Sequence, residues 1–539
     1  MRKIALLLLV LLECAVPWPA WAESIDVPME GLCFEETVVQ DGDEEPATGP
    51  DAAAGENPAA VEKEPTKEKG IADGRTLGEN CYTIDVALDV ETNVLSGTAI
   101  ISFTNTSGEA WSEICLRDLI QSIWADAKAR GTEPTVVSGI RDVTLAATGE
   151  ALSFSAKQDD PSVIYVRLSK PLQPGESTDI RVAYASEVPC GGFRMAWFSD
   201  HEEEPWPPEH RTYELAYFYP TLAMYTERGW SESPYFLDGE CDFNPVSTYD
   251  VTVHVPEGYR VIGGGETCQL SDTEWRLNGT HMRDFMLVVS NELEQLDGRS
   301  GDVAIHSYCF RDDAGSHRQG ELMLETAQNA VEAFEQAYGP YPFDKLEVVE
   351  SNYEYAGMEH TGLVRISTMY SWELLGEAGA EAVQKLIDNV AHEVAHQWFY
   401  AAVGNDPYNE AWLDESFAAY SELVYRRFVH ESEKQLTEAM KQMKASVDLR
   451  YTGAINRSYD ALLADEYNYI NAVYKRGKLF LYELEQFIGA EDFRNFMREW
   501  YQSHVFQTVT TADFLSALEP YMEKDDGLRS MVDEYLEIP

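Results

Sequence analysis

Two patterns of apolar and polar positions follow one another along the chain. Residues 82–90, 98–103, 163–168, 179–184 and 249–255 alternate with period two or nearly so, and turn residues separate them. Alternation gives a strand one apolar face. A series of such runs predicts an all-β domain, placed at 76–298. Residues 200–240 break the pattern with crowded Trp, Tyr, Pro and Glu and read as a long ordered loop or insertion. From about 299 the rhythm changes. A helix is predicted over 321–338, ended by Gly339-Pro340, with strands at 345–350 and 362–367. Beyond residue 381 nearly everything is helical. The run 379–402 carries Val383, Leu386, Ile387, Val390 and Val394 at helical spacing, and a second helix starts near Glu410 after the breaker Gly404-Asn405-Asp406-Pro407. The fold class is therefore α+β, an all-β domain followed by a mainly helical one over 299–539.

The first residues change the picture at one end. Arg2 and Lys3 precede an apolar core at 4–12, too short to span a bilayer, and Ala20-Trp21-Ala22 offers a small-x-small cleavage site. Residues 1–22 read as a signal peptide, which implies a secreted or extracytoplasmic protein. Residues 23–75 are rich in Glu, Asp, Pro, Ala and Gly and read as an acidic disordered linker. No later stretch is apolar enough for a transmembrane helix in the mature chain. The formal net charge of -54 argues against nucleic acid as a partner, since binding it needs a basic face. Of eight cysteines, Cys14 falls in the signal segment. The remaining seven all precede residue 310 and show no C-x-x-C spacing, so they are not read as a metal centre.

The candidate chemistry lies inside the run 379–402, at His392-Glu393-Val394-Ala395-His396. On a helix, residues i and i+4 share a face, so His392 and His396 can offer two imidazoles to one cation while Glu393 sits beside them. A chain with 11 His and 94 acids reaches such a pattern by chance in about 4% of orders, so its companions decide. A catalytic zinc site needs a third protein ligand and an open position. Eighteen residues after His396 comes Glu415, within Trp412-Leu413-Asp414-Glu415-Ser416-Phe417-Ala418 on the second helix. A helix, a turn and an antiparallel helix would return it to the metal. Asp414 could accept a hydrogen bond from a ligand histidine. His254, His281, His306 and His317 are scattered and read as structural or surface histidines.

These residues resemble the aminopeptidase N family of gluzincin metallopeptidases. Ala356-Gly357-Met358-Glu359-His360 is similar to that family's Gly-Ala-Met-Glu-Asn exopeptidase motif. Residues 341–346 resemble its Tyr-Pro-x-x-Lys-Leu entry, and Val473-Tyr474-Lys475-Arg476-Gly477 resembles the stretch carrying its catalytic tyrosine. The resemblance implies a thermolysin-like catalytic domain with one zinc ion held by His392, His396 and Glu415. It implies Glu393 as the base that activates water, Tyr474 as the oxyanion donor, Glu359 as the group that binds the substrate's free amine, and Gly357 and Met358 as further substrate-binding residues. Tyr467 and Tyr469 compete with Tyr474. The implied activity is zinc-dependent removal of N-terminal residues from peptides with a free N-terminus.

Two departures stand out. Ala356 and His360 replace the motif's first Gly and last Asn, which keeps alive a zinc endopeptidase or other hydrolase using the same centre. The family's second amine-binding group cannot be placed; Glu202, Glu203, Glu204, Glu209 and Glu214 are candidates. The chain ends near where the family's catalytic domain ends, so a short form without the C-terminal helical domain is expected, its cleft open or covered by a partner or a second copy. A catalytically silent peptide-binding protein is the remaining alternative, disfavoured because ligands, base and tyrosine are all present.

Overall fold

A computed structural model describes residues 79–539, apart from 137, 200–209, 238, 242, 312, 375–378, 464–467 and 539. The expected signal peptide and linker, Cys14, Cys33, Glu202, Glu203, Glu204, Glu209 and Tyr467 lie outside the described residues. The described residues belong to one compact unit, and no helix among them is long and apolar enough to cross a membrane.

The period-two run around residue 84 forms the strand Asn80–Asp89 at the heart of a seven-stranded sheet. It pairs antiparallel with Val94–Thr104 and parallel with Ser247–His254. Tyr82, Ile84, Val86 and Leu88 point inward, and the polar residues between them are exposed. Two four-stranded sheets and a two-stranded ribbon complete the β portion among the described residues.

Two features of this portion depart from the sequence reading. The helix Ile120–Ala129 interrupts an otherwise all-β region. Its Ile120, Ile123, Trp124 and Ala127 are buried at helical spacing, a short signal easily lost among strands. Residues 200–240 are not a simple loop, because they contain the strand Thr212–Leu215, paired between Met195–Phe198 and Leu287–Ser290. All four of its side chains are buried, so it shows no alternation.

The expected boundary at 298/299 falls inside the strand Leu293–Ser300. That strand pairs with Val303–Phe310 and so belongs to the five-stranded sheet of the following portion. The order of that sheet continues through Lys345–Ser351 and Leu363–Ser367, both running parallel, to Gly357–His360, which is antiparallel and at the edge. The helix over the sheet is Ala314–Ala337, a full turn and more longer at its N-terminus than the periodicity predicts. Asp313 caps it, its side chain accepting from the Ser316 amide, and the small and polar residues that follow hide the start.

The motif helix is Gly379–Ala395, and the second helix is Trp412–Phe428. The two halves are joined by a buried ion pair. Glu214 of the β portion lies 2.9 Å from Arg365 on the central strand Leu363–Ser367, and both side chains are at most 1% exposed.

Candidate metal and peptide site

The motif helix buries Leu386, Val390 and Val394, which fixes its rotation. His392 and Glu393 then lie in its last turn. His396 follows the helix end, in a turn held by the Trp398 and Phe399 amides donating to the Ala395 carbonyl. The second helix carries Glu415 in its first turn, where the helix dipole favours a carboxylate.

Three donor atoms converge. His392 Nε2 and His396 Nε2 are 3.2 Å apart, His392 Nε2 is 3.2 Å from Glu415 Oε2, and His396 Nε2 is 3.4 Å from the same oxygen. The far sides of both rings are occupied. His396 Nδ1 donates to the Phe399 carbonyl at 3.0 Å, and His392 Nδ1 faces Glu422 Oε1 at 3.2 Å. With Nδ1–H turned outward, each Nε2 presents a lone pair to the centre. Three lone pairs facing one another at this distance repel unless a cation or shared protons lie between them. Tetrahedral zinc ligands at the usual bond lengths stand about 3.3 Å apart, so the donor set fits that ion.

Without a cation, protons bear the load. Burial works to lower His392, but hydrogen bonds to Glu415 and Glu422 outweigh it and hold the imidazole up at about 9. Burial likewise works to raise Glu415, and hydrogen bonds from the two histidines overcome it and keep the carboxyl far below its usual range.

Glu422 is a residue that the sequence reading missed. It sits two turns beyond Glu415 on the same helix face, and Lys478 Nζ donates to its other oxygen. Burial raises Glu422 while Lys478 and His392 pull it down, to about 2. Asp414, the expected partner for a ligand histidine, does not take that place. It accepts from Asn405 Nδ2 at 2.9 Å and from the Glu415 amide.

Around the triangle lie the other expected residues. Tyr474, on a π-helical segment Ile470–Arg476, donates to Glu415 Oε1, and its ring stacks 5.9 Å from that of His392. Tyr469 packs 6.0 Å from Tyr474 and also lines the cavity. Glu359 and Glu393 come within 4.8 Å of His396. Each keeps a buried carboxylate oxygen without a hydrogen-bond partner, Oε1 of Glu359 and Oε2 of Glu393. Burial drives the Glu359 carboxyl well above its ordinary range and Glu393 up to about 7, His392 and His396 working against the latter. Gly357, Met358 and Glu359 lie on the edge strand Gly357–His360, and Asn389 Nδ2 of the motif helix donates to the Ala356 carbonyl at 2.9 Å. One cavity of about 230 Å³ is lined by Gly357, Met358, Glu359 and the donor triangle together with Glu393 and Tyr474.

His360 and Glu214 both find their partners away from the cavity. His360 turns away from the cavity and pairs with Asp284 of the β portion at 2.6 Å, 1% exposed. Glu214, a candidate for the amine, instead binds Arg365 and accepts from Ser351 Oγ at 2.8 Å. Among the described lining residues the β portion supplies Leu237 and Gly239 and no carboxylate. His254, His281, His306 and His317 each face an acid elsewhere, Asp85, Glu79, Glu347 and Glu294 respectively.

Residues 322–535 match the peptidase family M1 domain. That match takes in the whole donor triangle together with Glu359, Glu393 and Tyr474. M1 is the family to which the sequence resemblance pointed. The chain is 28% identical over 298 residues to aminopeptidase N of Streptomyces lividans, covering 52% of this chain and 34% of that protein. It is 24% identical over 241 residues to aminopeptidase M1 of Arabidopsis thaliana, covering 41% and 26%. It thus spans about a third or less of the length of these curated relatives. A solved M1 zinc metallopeptidase from Deinococcus radiodurans shares the fold, with a TM-score of 0.57 and 17% identity over 86% of this chain and 95% of that one. A two-domain M1 zinc metallopeptidase bound to L-arginine gives 0.58, 18%, 86% and 95%. The M1 fold here is accordingly a β-rich portion followed by a helical one carrying the donor triangle.

Proposed function

We propose that this chain is an exported zinc aminopeptidase that removes N-terminal residues from peptides. The observation that carries the reading is the meeting, in one cavity, of a three-donor cation triangle with two buried carboxylate oxygens that accept no hydrogen bond. Buried carboxylate oxygens left unpaired are costly, and a ligand that supplies donors relieves the cost.

The division of labour follows from position. His392, His396 and Glu415 would hold zinc, which when bound supplies Lewis acidity toward the scissile carbonyl and the attacking water. Glu393 takes the proton from that water and passes it to the leaving amine. A carboxyl raised to about 7 is matched to accepting and returning a proton near neutrality. Tyr474 turns its hydroxyl from Glu415 to the oxygen on which charge develops. Glu359 receives the α-ammonium of the substrate, which an internal peptide bond does not possess. The free edge of Gly357–His360 lets an extended peptide lie alongside Gly357 and Met358 as an added strand. Export rests on the sequence of the first 22 residues.

A panel of aminoacyl fluorogenic amides, free and N-acetylated, tests the reading, with chelator, zinc re-addition and Glu393→Gln as controls. Chelator-sensitive cleavage of the free-amine substrates alone is expected. Equal cleavage of the acetylated set would remove Glu359 from amine recognition and favour an endopeptidase.

A further inference from the structure

A second group of metal-binding side chains lies away from the cavity. Glu294 and Cys309 are direct cross-strand partners on Leu293–Ser300 and Val303–Phe310, so their side chains share a face. His317 comes from the first turns of Ala314–Ala337, which packs on that face. Gly320 sets the approach: a β-carbon there would stand 2.5 Å from Cys309 Sγ, so only glycine lets the helix come this close. One turn earlier, His317 is brought over the strand pair. One donor atom each of Glu294, Cys309 and His317 lies within 4.8 Å of the others.

We propose that Glu294, Cys309 and His317 form a second divalent-cation site, with a preference for thiolate-binding ions such as zinc. The sulfur stands 3.6 Å from Glu294 Oε1, which matches the separation of about 3.6 Å between a thiolate and a carboxylate oxygen on one tetrahedral zinc. His317 Nδ1 is 2.6 Å from the same oxygen, tighter than a shared ion allows. Its ring is 51% exposed and free to swing outward as an ion enters. Its other nitrogen, Nε2, faces Glu321 Oε1 at 3.8 Å, one turn along the helix. A carboxylate behind the outer nitrogen of a ligand histidine is the usual device for fixing such a ring. The thiol is fully buried and donates toward Glu294. Its proton leaves to solvent when the ion binds, since the thiolate is the ligand. A three-donor set with a fourth position open to solvent results, on the outer pair of strands rather than in the cleft.

Cobalt substitution reads this site apart from the cleft, because the donors there contain no sulfur. The full metal-free chain is titrated with Co²⁺, following thiolate-to-cobalt charge-transfer absorption in the near ultraviolet, with bound metal counted by elemental analysis. Two ions per chain and a thiolate band are expected. Cys309→Ser removes the band and one of the two ions while amide hydrolysis is retained. His317→Gln, an exposed change that leaves the core intact, weakens the band-forming ion by about tenfold or more. A single ion without a thiolate band, or a band that survives Cys309→Ser, overturns the proposal and leaves an ion pair beside a buried thiol. Loss of hydrolysis in the unsubstituted enzyme would bear on the cleft alone.

Discussion

A β-carbon built on Gly357 would stand 2.4 Å from Glu393 Oε1, so the edge strand and the Glu393 carboxylate share a space that only glycine leaves open. Gly357→Ala must push Glu393, or the edge strand, by several tenths of an ångström. A displacement of that order at a general base lowers turnover by about 10–100-fold. The expected outcome is a fall in kcat with bound metal unchanged and Tm within a few degrees of wild type. An unaltered kcat would show that Glu393 tolerates the shift.

Glu422 holds the outer nitrogen of His392 while Lys478 holds Glu422. Removing the carboxylate by Glu422→Ala frees the ring to rotate and leaves Lys478, only 6% exposed, without this partner. Zinc affinity should fall by about 10–100-fold, measured by competition with a chromophoric chelator. Affinity equal to wild type would mean that packing alone orients His392.

Tyr474→Phe deletes one hydroxyl and keeps the ring that stacks on His392. The proposed oxyanion role predicts a kcat lower by about 10²–10³ with little change in KM or zinc content, the signature of a group that acts only on transition-state charge. If Tyr469 were the donor, Tyr469→Phe would carry that loss instead.

Glu350 offers a test of stability against pH, away from the donor triangle. It is fully buried on Lys345–Ser351, accepting from the Phe310 amide at 3.0 Å and Ser316 Oγ at 2.9 Å. Burial pushes its carboxyl from 4.5 up to about 7. A raised acid favours folding while protonated in the native state, so this contribution is fully present below pH 4.5 and is lost as pH rises to about 7. The loss reaches about 3 kcal/mol at most. Glu350→Gln removes that dependence. The difference in Tm between variant and wild type should move in the variant's favour from pH 5 to pH 8, and a constant difference would sink the argument.

What could be read before the fold was known follows from range. The strand around Ile84 and the motif helix were visible because each writes its own period into consecutive residues. The donor triangle was visible because His392 and His396 are local and Glu415 lies one helical hairpin away. Thr212–Leu215 was hidden because a strand buried on both faces loses its alternation. Glu422 was hidden because its role depends on how the second helix rolls against the first. The same roll takes Asp414 to Asn405 instead of a histidine. His360 looked like a change in the active site, but its partner Asp284 lies 76 residues away in the β portion, beyond any local signal.

The Glu214–Arg365 pair decides what can be cut from this molecule. A chain begun at residue 299 would retain Arg365 in the interior of its sheet with no carboxylate to meet it. Stranding one member of a buried pair costs about 3–5 kcal/mol, a large part of the margin by which a typical domain stays folded. The same cut would split Leu293–Ser300 and leave Val303–Phe310 with a broken outer neighbour. The half that carries the donor triangle is therefore not a portable module: whatever shortens, swaps or recombines this chain has to carry both halves across together.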